Sequence, residues 1–573
     1  MIQKILHVLL QVVFVMGVGQ SVVSAEMSDL GLAFYASPNR TMGDGSISNP
    51  WDLLTALQST LPPGSTLYLR GGTYTGKFIS NLRGSVGDPI TVRSYPGEWA
   101  KIDGYVKTNL SANLTADSST MTVEDPSLFT VGSVVTIVDQ SDESANEVIQ
   151  VADLAGNVLS VNRGWAGTVP MLHNTGALLV LGGNQLTVDG SDAVYRDFEI
   201  MNSDPVRNWG TAVNGQNAPH LRGEGVMHLG ARTNLVNLVI HDNQDGIFGS
   251  PSSVDSETYG CIVYNNGYTD GNGPAGHGWY IQNNPGSTKA YRRNYSFNNQ
   301  MFGFQEESVS GNTVNIINDG LVIFNNAALI GASSGIVDNV TFENGFTYNG
   351  GLRLGYQAPN GTLSLTNNYL ASYGTVLDIK NWSNVTFYGN TVSTKGGSDG
   401  TIMVNGSPGQ YNWNNNRYYD LTNILNFVGS AQRAEFSYNG SDLLQFSEWK
   451  ANSGFDSNVA DLGSTPPSDP NAYFYTQTTA ASKVFVDPNA YEPGRANIII
   501  YNWALSDLID VDLSGTGLIS GQTYVVKDAQ NYFGAPILNG IYNSASPRVT
   551  IPLIGLSAGQ PIGNITPPLP HSC

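Results

Sequence analysis

Seven times between Val239 and Asn390, a short alternating run of apolar residues closes on asparagine. The runs are Val239-Ile240-His241-Asp242-Asn243, Ile262-Val263-Tyr264-Asn265-Asn266, Tyr295-Ser296-Phe297-Asn298-Asn299, Val322-Ile323-Phe324-Asn325-Asn326, Val340-Thr341-Phe342-Glu343-Asn344, Leu363-Ser364-Leu365-Thr366-Asn367-Asn368 and Val385-Thr386-Phe387-Tyr388-Gly389-Asn390. Recurrence at irregular intervals of roughly 18 to 33 residues fits a solenoid whose coils carry loops of different length. Alternation sends every second side chain inward, so the Val/Phe and Leu/Leu pairs are expected to stack as one apolar column. Asparagine suits the sharp turn after each strand. It tolerates left-handed backbone angles, and its amide can bond the equivalent asparagine one coil away.

This pattern resembles the right-handed parallel β-helix of pectate-lyase-like, secreted carbohydrate-active proteins, and the resemblance covers about half of the chain. It implies an architecture and no single activity, because lyases, glycosidases, epimerases and phage tailspikes share it. The expected fold is all-β: a right-handed parallel β-helix with an inserted small β-module and a C-terminal β-sandwich.

A chain of 573 residues has room for a long core and more than one domain. Its 40% apolar content excludes disorder, and its net charge of −20 argues against a nucleic-acid partner. The same charge disfavours a polyanionic substrate unless a local basic groove overrides the global field. Lys4, the apolar run from Ile5 to Val18 and Val23-Ser24-Ala25 read as a secretory signal peptide cleaved after Ala25, the alternative being a single-span anchor. The expectation is a monomer, extracellular or periplasmic, with no membrane association once the leader is removed. Cys261 and Cys573 are not expected to pair, so the core and not a disulfide holds the fold.

Along the chain, residues 26–104 read as an N-terminal cap and first coils. A helix begins near Pro50, with Leu53, Leu54 and Leu57 on its apolar face. The segments 63–74, 89–93 and 102–104 resemble the entry of secreted β-helix proteins, including the chondroitinase B and alginate-lyase-like group. Residues 105–182 hold short strands and end on Arg163-Gly164-Trp165-Ala166-Gly167-Thr168 and His173-Asn174-Thr175-Gly176-Ala177. They resemble a small module of phage and secreted proteins, in which His173 serves the module's own turn. The β-helix with its groove spans 183–465. Its loop at 204–224, with Arg207, Trp209, His220 and Arg222, is a candidate groove wall. Residues 466–573 are a Pro/Ser linker and the sandwich, whose expected task is packing against the solenoid, the alternative being glycan binding.

No short catalytic motif is present, so the candidate site comes from stacking. Each coil carries one further strand before its Asn-marked strand. With large apolar residues inward, the outward column is His228, Phe248, Tyr280, Gln305, a gap near Ile330, Arg353 and Asp378. A second column holds Ser250, Gln282, Glu307 and Lys380. Adjacent coils lie about 4.8 Å apart, so these side chains form one groove. The bland alternative is a wholly solvated polar face; aromatic and mixed-charge content favours the groove. The richest point joins His277 and Tyr280 to Gln305 and Glu307. Uronide elimination needs a base at C5, an acid for the leaving oxygen and neutralisation of the carboxylate. Tyr280 and His277 are the expected acid–base pair, with Glu307 orienting His277 or holding a cation. His228 is a further catalytic candidate, although a one-residue slip would bury it. Gln282, Gln305, Arg353, Asp378, Lys380 and Phe248 are expected to bind substrate, with Asp378 paired to Arg353. His241 is read as an inward stacking residue, Glu306 and Trp279 as buried, and Asp245 as ambiguous.

A glycoside hydrolase needs two carboxyls about 5–9.5 Å apart. Glu307 and Asp378 fall about three coils, near 14 Å, apart. The spacing therefore favours a polysaccharide lyase acting on a uronic-acid-containing glycan. The alternatives are a glycoside hydrolase using loop carboxylates (Asp255, Glu257, Asp270, Asp319) and a non-catalytic glycan-binding or adhesion protein. Calcium fits a uronide substrate, but no acidic cluster requires it, and no cofactor or metal ligand is assigned.

Overall fold

Left-handed turns set the stacking. Asp242, Asn265, Asn298 and Asn325 have φ of 59, 53, 55 and 51°, each just after a three-residue strand. The next residue in each coil is Asn243, Asn266, Asn299 or Asn326, and these form a ladder. The Asn243 N–H donates to Asn266 Oδ1 at 2.9 Å, the Asn266 N–H to Asn299 Oδ1 at 3.1 Å, and the Asn299 N–H to Asn326 Oδ1 at 2.7 Å. The ladder pairs backbone donors that the turn would otherwise bury unpaired. The Asn299→Ala variant removes the acceptor for both Asn266 N and Asn266 Nδ2 (2.9 Å). It is expected to cost about 1–3 kcal/mol, read as a lowered denaturant midpoint.

The computed structural model describes residues 9–18, 32–38, 43–138, 146–207, 222–270, 273–309, 311–372, 374–394, 402–406, 410–420, 436–443, 445–462, 473–476 and 481–563. Among these, three long sheets of twelve, twelve and thirteen strands stack coil upon coil, almost wholly in parallel register. The protein is a parallel β-helix. The helix Leu53–Gln58 closes its first end. Leu53, Ala56 and Leu57 are buried there, while Leu54 is exposed because it lies one position off the apolar face. At the other end the helix Phe446–Ser453 caps the core through Trp449. Asp456 ties that end together, accepting from Trp449 Nε1 at 3.0 Å and the Tyr418 hydroxyl at 2.6 Å.

The Asn-marked runs do not form one inward column. The first four belong to the thirteen-stranded sheet, whereas Val340–Phe342, Leu363–Leu365 and Val385–Phe387 lie in a different sheet and face the interior. On the thirteen-stranded sheet it is Ile240, Val263 and Ile323 that point inward. Val239, Tyr264, Phe297 and Phe324 point outward and are buried by Tyr501, Trp503 and Tyr532 of the C-terminal region. His241 stacks on Tyr264, ring centroids 4.9 Å apart, so it belongs to this outer column and not to the interior. Two corners of the coil use the same left-handed turn and asparagine, which is why the seven runs look alike. The second corner has its own ladder: Gly345 N–H to Asn368 Oδ1, Asn368 N–H to Asn390 Oδ1 and Asn390 N–H to Asn416 Oδ1, at 2.7, 3.0 and 3.0 Å.

Residues Lys107–Asn109 to Leu178–Leu181 form a six-stranded antiparallel sheet with its own apolar core. His173 serves this sheet: its Nε2 meets the buried Glu147 at 3.0 Å, and Arg163 clamps the same carboxylate. Near the C-terminus a five-stranded and a two-stranded antiparallel sheet share a core of Ile498, Ile500, Val511, Val526 and Ile551. The apolar run read as a leader, Leu9–Val18, is here a strand of the five-stranded sheet. It runs antiparallel to both Ala496–Asn502 and Thr523–Asp528. Its β-branched residues suit a strand as well as they suit a leader's apolar core. Among the described residues no helix is long and apolar enough to cross a membrane. Cys261 is a buried free thiol, and Cys573 lies outside the described residues.

Candidate active site

One sheet carries the groove. Its strands Val226–His228, Ile247–Gly249, Trp279–Ile281 and Phe302–Ser308 pair in parallel and put Met227, Phe248, Tyr280 and Gln305 in one outward row. Leu329, Arg353 and Asp378 continue it. The alternate row, Ile281, Ile330, Leu354 and Ile379, fills the interior. Leu329 therefore fills the apparent gap, and Ile330 points inside. His228 also points inside. It pairs with Gly249, is 2% exposed, and bonds Thr233 Oγ1 through Nε2. Burial, with Lys289 nearby, holds its imidazole down at about 3, so it is a neutral core residue and not a groove acid. A polar partner inside the coil made this frame possible, and strand alternation gives no sign of it.

The row encloses a groove of about 1010 Å³ that gathers His277, Tyr280, Gln305, Glu307, Arg353, Asp378 and Lys380. Phe302, Leu329 and Tyr356 supply apolar and aromatic walls. Phe248 joins from outside the cavity by stacking on Tyr280 at 5.6 Å, and Gln282 shares a hydrogen bond with Tyr280. His277 lies between Tyr280 and Phe302, with ring centroids 5.7 and 6.1 Å away. Burial, then the charge of Glu307, lifts the Tyr280 phenol to about 12, so it keeps its proton at neutral pH.

Two pairings differ from expectation. Glu307 does not orient His277; it accepts from Gln305 Nε2 and Ser333 Oγ. Asp245 does so instead, taking the His277 backbone N–H and meeting Nδ1 at 3.0 Å. Asp378 lies 3.8 Å from Lys380 Nζ, while the Arg353 guanidinium sits 5.6 Å over the Phe302 ring. Asp245 precedes Ile247 by two residues, as His277 precedes Trp279, so the two occupy the same corner of adjacent coils. Glu306 is inward and bonded to Asn318 Nδ2 at 2.7 Å, its carboxyl pushed up to about 8 by burial. Trp279 is wholly buried.

The candidate groove wall at 204–224 resolves differently at its two ends. Arg207 and Arg222 are fully buried clamps: Arg207 pairs with Asp242, and Arg222 donates to the carbonyls of Asn202, Asp204, Val206 and Asp242. Trp209 and His220 lie outside the described residues. The loop carboxylates Glu257 and Asp319 face Arg292 at 3.0 and 3.8 Å on another sheet. Among the described residues no cluster of His, Cys, Asp or Glu has the makings of a metal site. Both Glu307 oxygens are taken by neutral donors. The donor set does not fit a resident calcium.

Fold and site together define a parallel β-helix protein with an aromatic-walled, mixed-charge groove on one sheet. No family model matches the chain, and no curated protein matches it. Among solved structures it is similar to pectate lyase Pel9A, at 14% identity and TM-score 0.33 over 68% of this chain and 74% of that one. It is similar to the GH136 lacto-N-biosidase from Eubacterium ramulus, at 11% identity and TM-score 0.37 over 65% of each chain. It is also similar to a rhamnogalacturonan lyase, at 13% identity and TM-score 0.36 over 66% of this chain and 82% of that one.

Proposed function

We propose that this protein is a secreted polysaccharide lyase that cleaves a uronic-acid-containing glycan by β-elimination in the groove. The observation that carries the reading is the contact of His277 with Tyr280 at one end of a groove whose other end holds Arg353 and Lys380. His277 takes the C5 proton. Tyr280, protonated at neutral pH, gives its proton to the leaving O4. The C5–H and C4–O4 bonds break and the C4–C5 double bond forms. Return of the proton from the imidazolium to the Tyr280 phenolate resets the pair.

Arg353 follows Tyr280 by three rungs, through Gln305 and Leu329, or about 14 Å. It suits the carboxylate of a neighbouring sugar. Arg353→Ala is expected to raise KM by about 10–100-fold with kcat nearly unchanged, since a charge-assisted hydrogen bond made equally in ground and transition states is lost. Steady-state kinetics checks this.

The groove carboxylates Glu307 and Asp378 lie in different rows, separated by the strands of Leu329 and Arg353. That separation is unsuited to the carboxylate pair of a hydrolase. The deciding assay is absorbance at about 235 nm, where the unsaturated product of elimination absorbs. It is run on a panel of uronic-acid polysaccharides with reducing ends followed in parallel. Absorbance and reducing ends rising together are expected. Reducing ends without absorbance mean hydrolysis, and neither signal means a glycan-binding protein.

A further inference from the structure

The corner just ahead of the groove sheet stacks three titratable residues in consecutive coils. Val226 pairs with Ile247, and Ile247 with Trp279. Two residues earlier in each coil stand Glu224, Asp245 and His277. The ladder is anchored below, where the Glu224 N–H donates to Asn184 Oδ1 at 3.1 Å. Above, it reaches the groove, because His277 stacks on Phe302 and touches Tyr280.

Glu224 is 8% exposed, and its Oε2 has no hydrogen-bond donor among the described residues; Oε1 lies 3.4 Å from Gln244 Nε2. What it faces is Asp245 in the next coil, whose main-chain N–H and carboxyl both lie within hydrogen-bonding reach. Two carboxylates in that position both accept and neither donates, so contact requires a proton between them. Burial and the charge of Asp245 drive the Glu224 carboxyl well above the usual carboxylate range, which leaves the proton on Glu224. Asp245, ionised, bonds the His277 N–H and Nδ1. The facing groups are thus Asp245 and Gln244 for Glu224, Glu224 and His277 for Asp245, and Asp245 and Tyr280 for His277, with Glu307 beyond Tyr280.

We infer that Glu224 and Asp245 share one proton and act as positioning residues for His277. Glu224 O–H donates to Asp245, and Asp245 accepts from His277 Nδ1–H. Nε2 is then the bare nitrogen presented to the groove, and no residue among those described bonds it. The inference deepens the elimination reading, in which His277 is the base, but its test needs no turnover. Chemically, the pair fixes the tautomer before substrate arrives and offers a carboxylate to the imidazolium that forms when the C5 proton is taken.

The experiment is nitrogen-15 NMR of the full chain labelled at histidine, without substrate. The His277 signals are identified by their loss in His277→Gln. The wild-type ring is expected in the Nδ1–H form, with an extra pH-dependent change as Glu224 loses its proton. Glu224→Gln keeps a donor towards Asp245 but cannot titrate. It should retain the Nδ1–H form and lose the extra change, an effect that a purely structural role would not produce. Asp245→Ala should move the ring towards the Nε2–H form favoured by free histidine. An Nε2–H ring in the wild type, or a Glu224→Gln titration superimposable on the wild type, overturns the inference. Should Asp245→Ala not fold, Glu224→Gln decides alone. A panel without unsaturated product overturns the elimination reading and leaves these outcomes standing.

Discussion

Tyr280→Phe is expected to lower kcat on the responsive glycan by about 10²–10⁴-fold, the usual contribution of a positioned acid, while KM stays near the wild-type value. The variant removes one hydroxyl and no packing. The ring keeps its stack with Phe248 at 5.6 Å and its contact with His277 at 5.7 Å. Its hydroxyl bonds Gln282, which can turn to solvent because it is only partly buried. Stability should therefore move by no more than about 0.5 kcal/mol, and thermal unfolding run beside the kinetics separates a lost acid from a damaged fold. The phenol is lifted to about 12 by burial and by Glu307, so wild-type activity should persist until the phenol ionises near that pH. An active Tyr280→Phe enzyme would remove Tyr280 from the chemistry and leave the acid to be sought elsewhere in the groove.

The second large effect is alkaline. His241 lies under the C-terminal sheets, its Nδ1 2.7 Å from Asp242 Oδ2 and its Nε2 3.2 Å from Glu199 Oε1. Asp242 also accepts from Arg207 and from the Ile562 N–H at 2.9 Å, and Glu199 accepts from Trp99 Nε1 at 3.1 Å. Burial alone would depress the imidazole, but the two carboxylates outweigh it and hold it at about 9. A group raised on folding stabilises the native state fully below its unfolded value, near 6.5, and loses that contribution as pH rises through about 9. The shift corresponds to something on the order of 3 kcal/mol. Denaturant unfolding at pH 6 and pH 10 should show the loss in the wild type. A smaller loss is expected in His241→Gln, which keeps a donor but does not titrate. Equal losses in the two proteins would mean that other groups carry the alkaline transition.

Much of the fold was legible because its determinants are local. Period-two alternation, a left-handed residue and asparagine recur along the stack between Val239 and Asn416, and each acts within a few residues of chain. The same locality explains the errors. Two corners of the coil have the same turn chemistry, so runs from two sheets read as one column. His228 sits in Val226-Met227-His228-Leu229, where alternation fits either frame. The frame is decided by Thr233, five residues on, which satisfies the buried ring. Tyr280, Arg353 and Asp378 were legible as a row because large apolar residues flank each of them, and Gln305 because Phe304 precedes it. Asp245 and Glu224 were not, since they occupy a corner where no alternation marks a direction.

The sequence by itself determined that the chain winds into parallel coils, where the coils turn, and which polar and aromatic residues share one face. Tertiary structure alone decided which apolar column is interior and which lies beneath the C-terminal sheets. It also decided that Asp245 rather than Glu307 holds His277. The physical reason is one of range. Turn chemistry and alternation are set by neighbours in the chain, whereas burial and pairing depend on residues from other coils and from the C-terminal sheets that come to cover or face a side chain only when the coils have stacked.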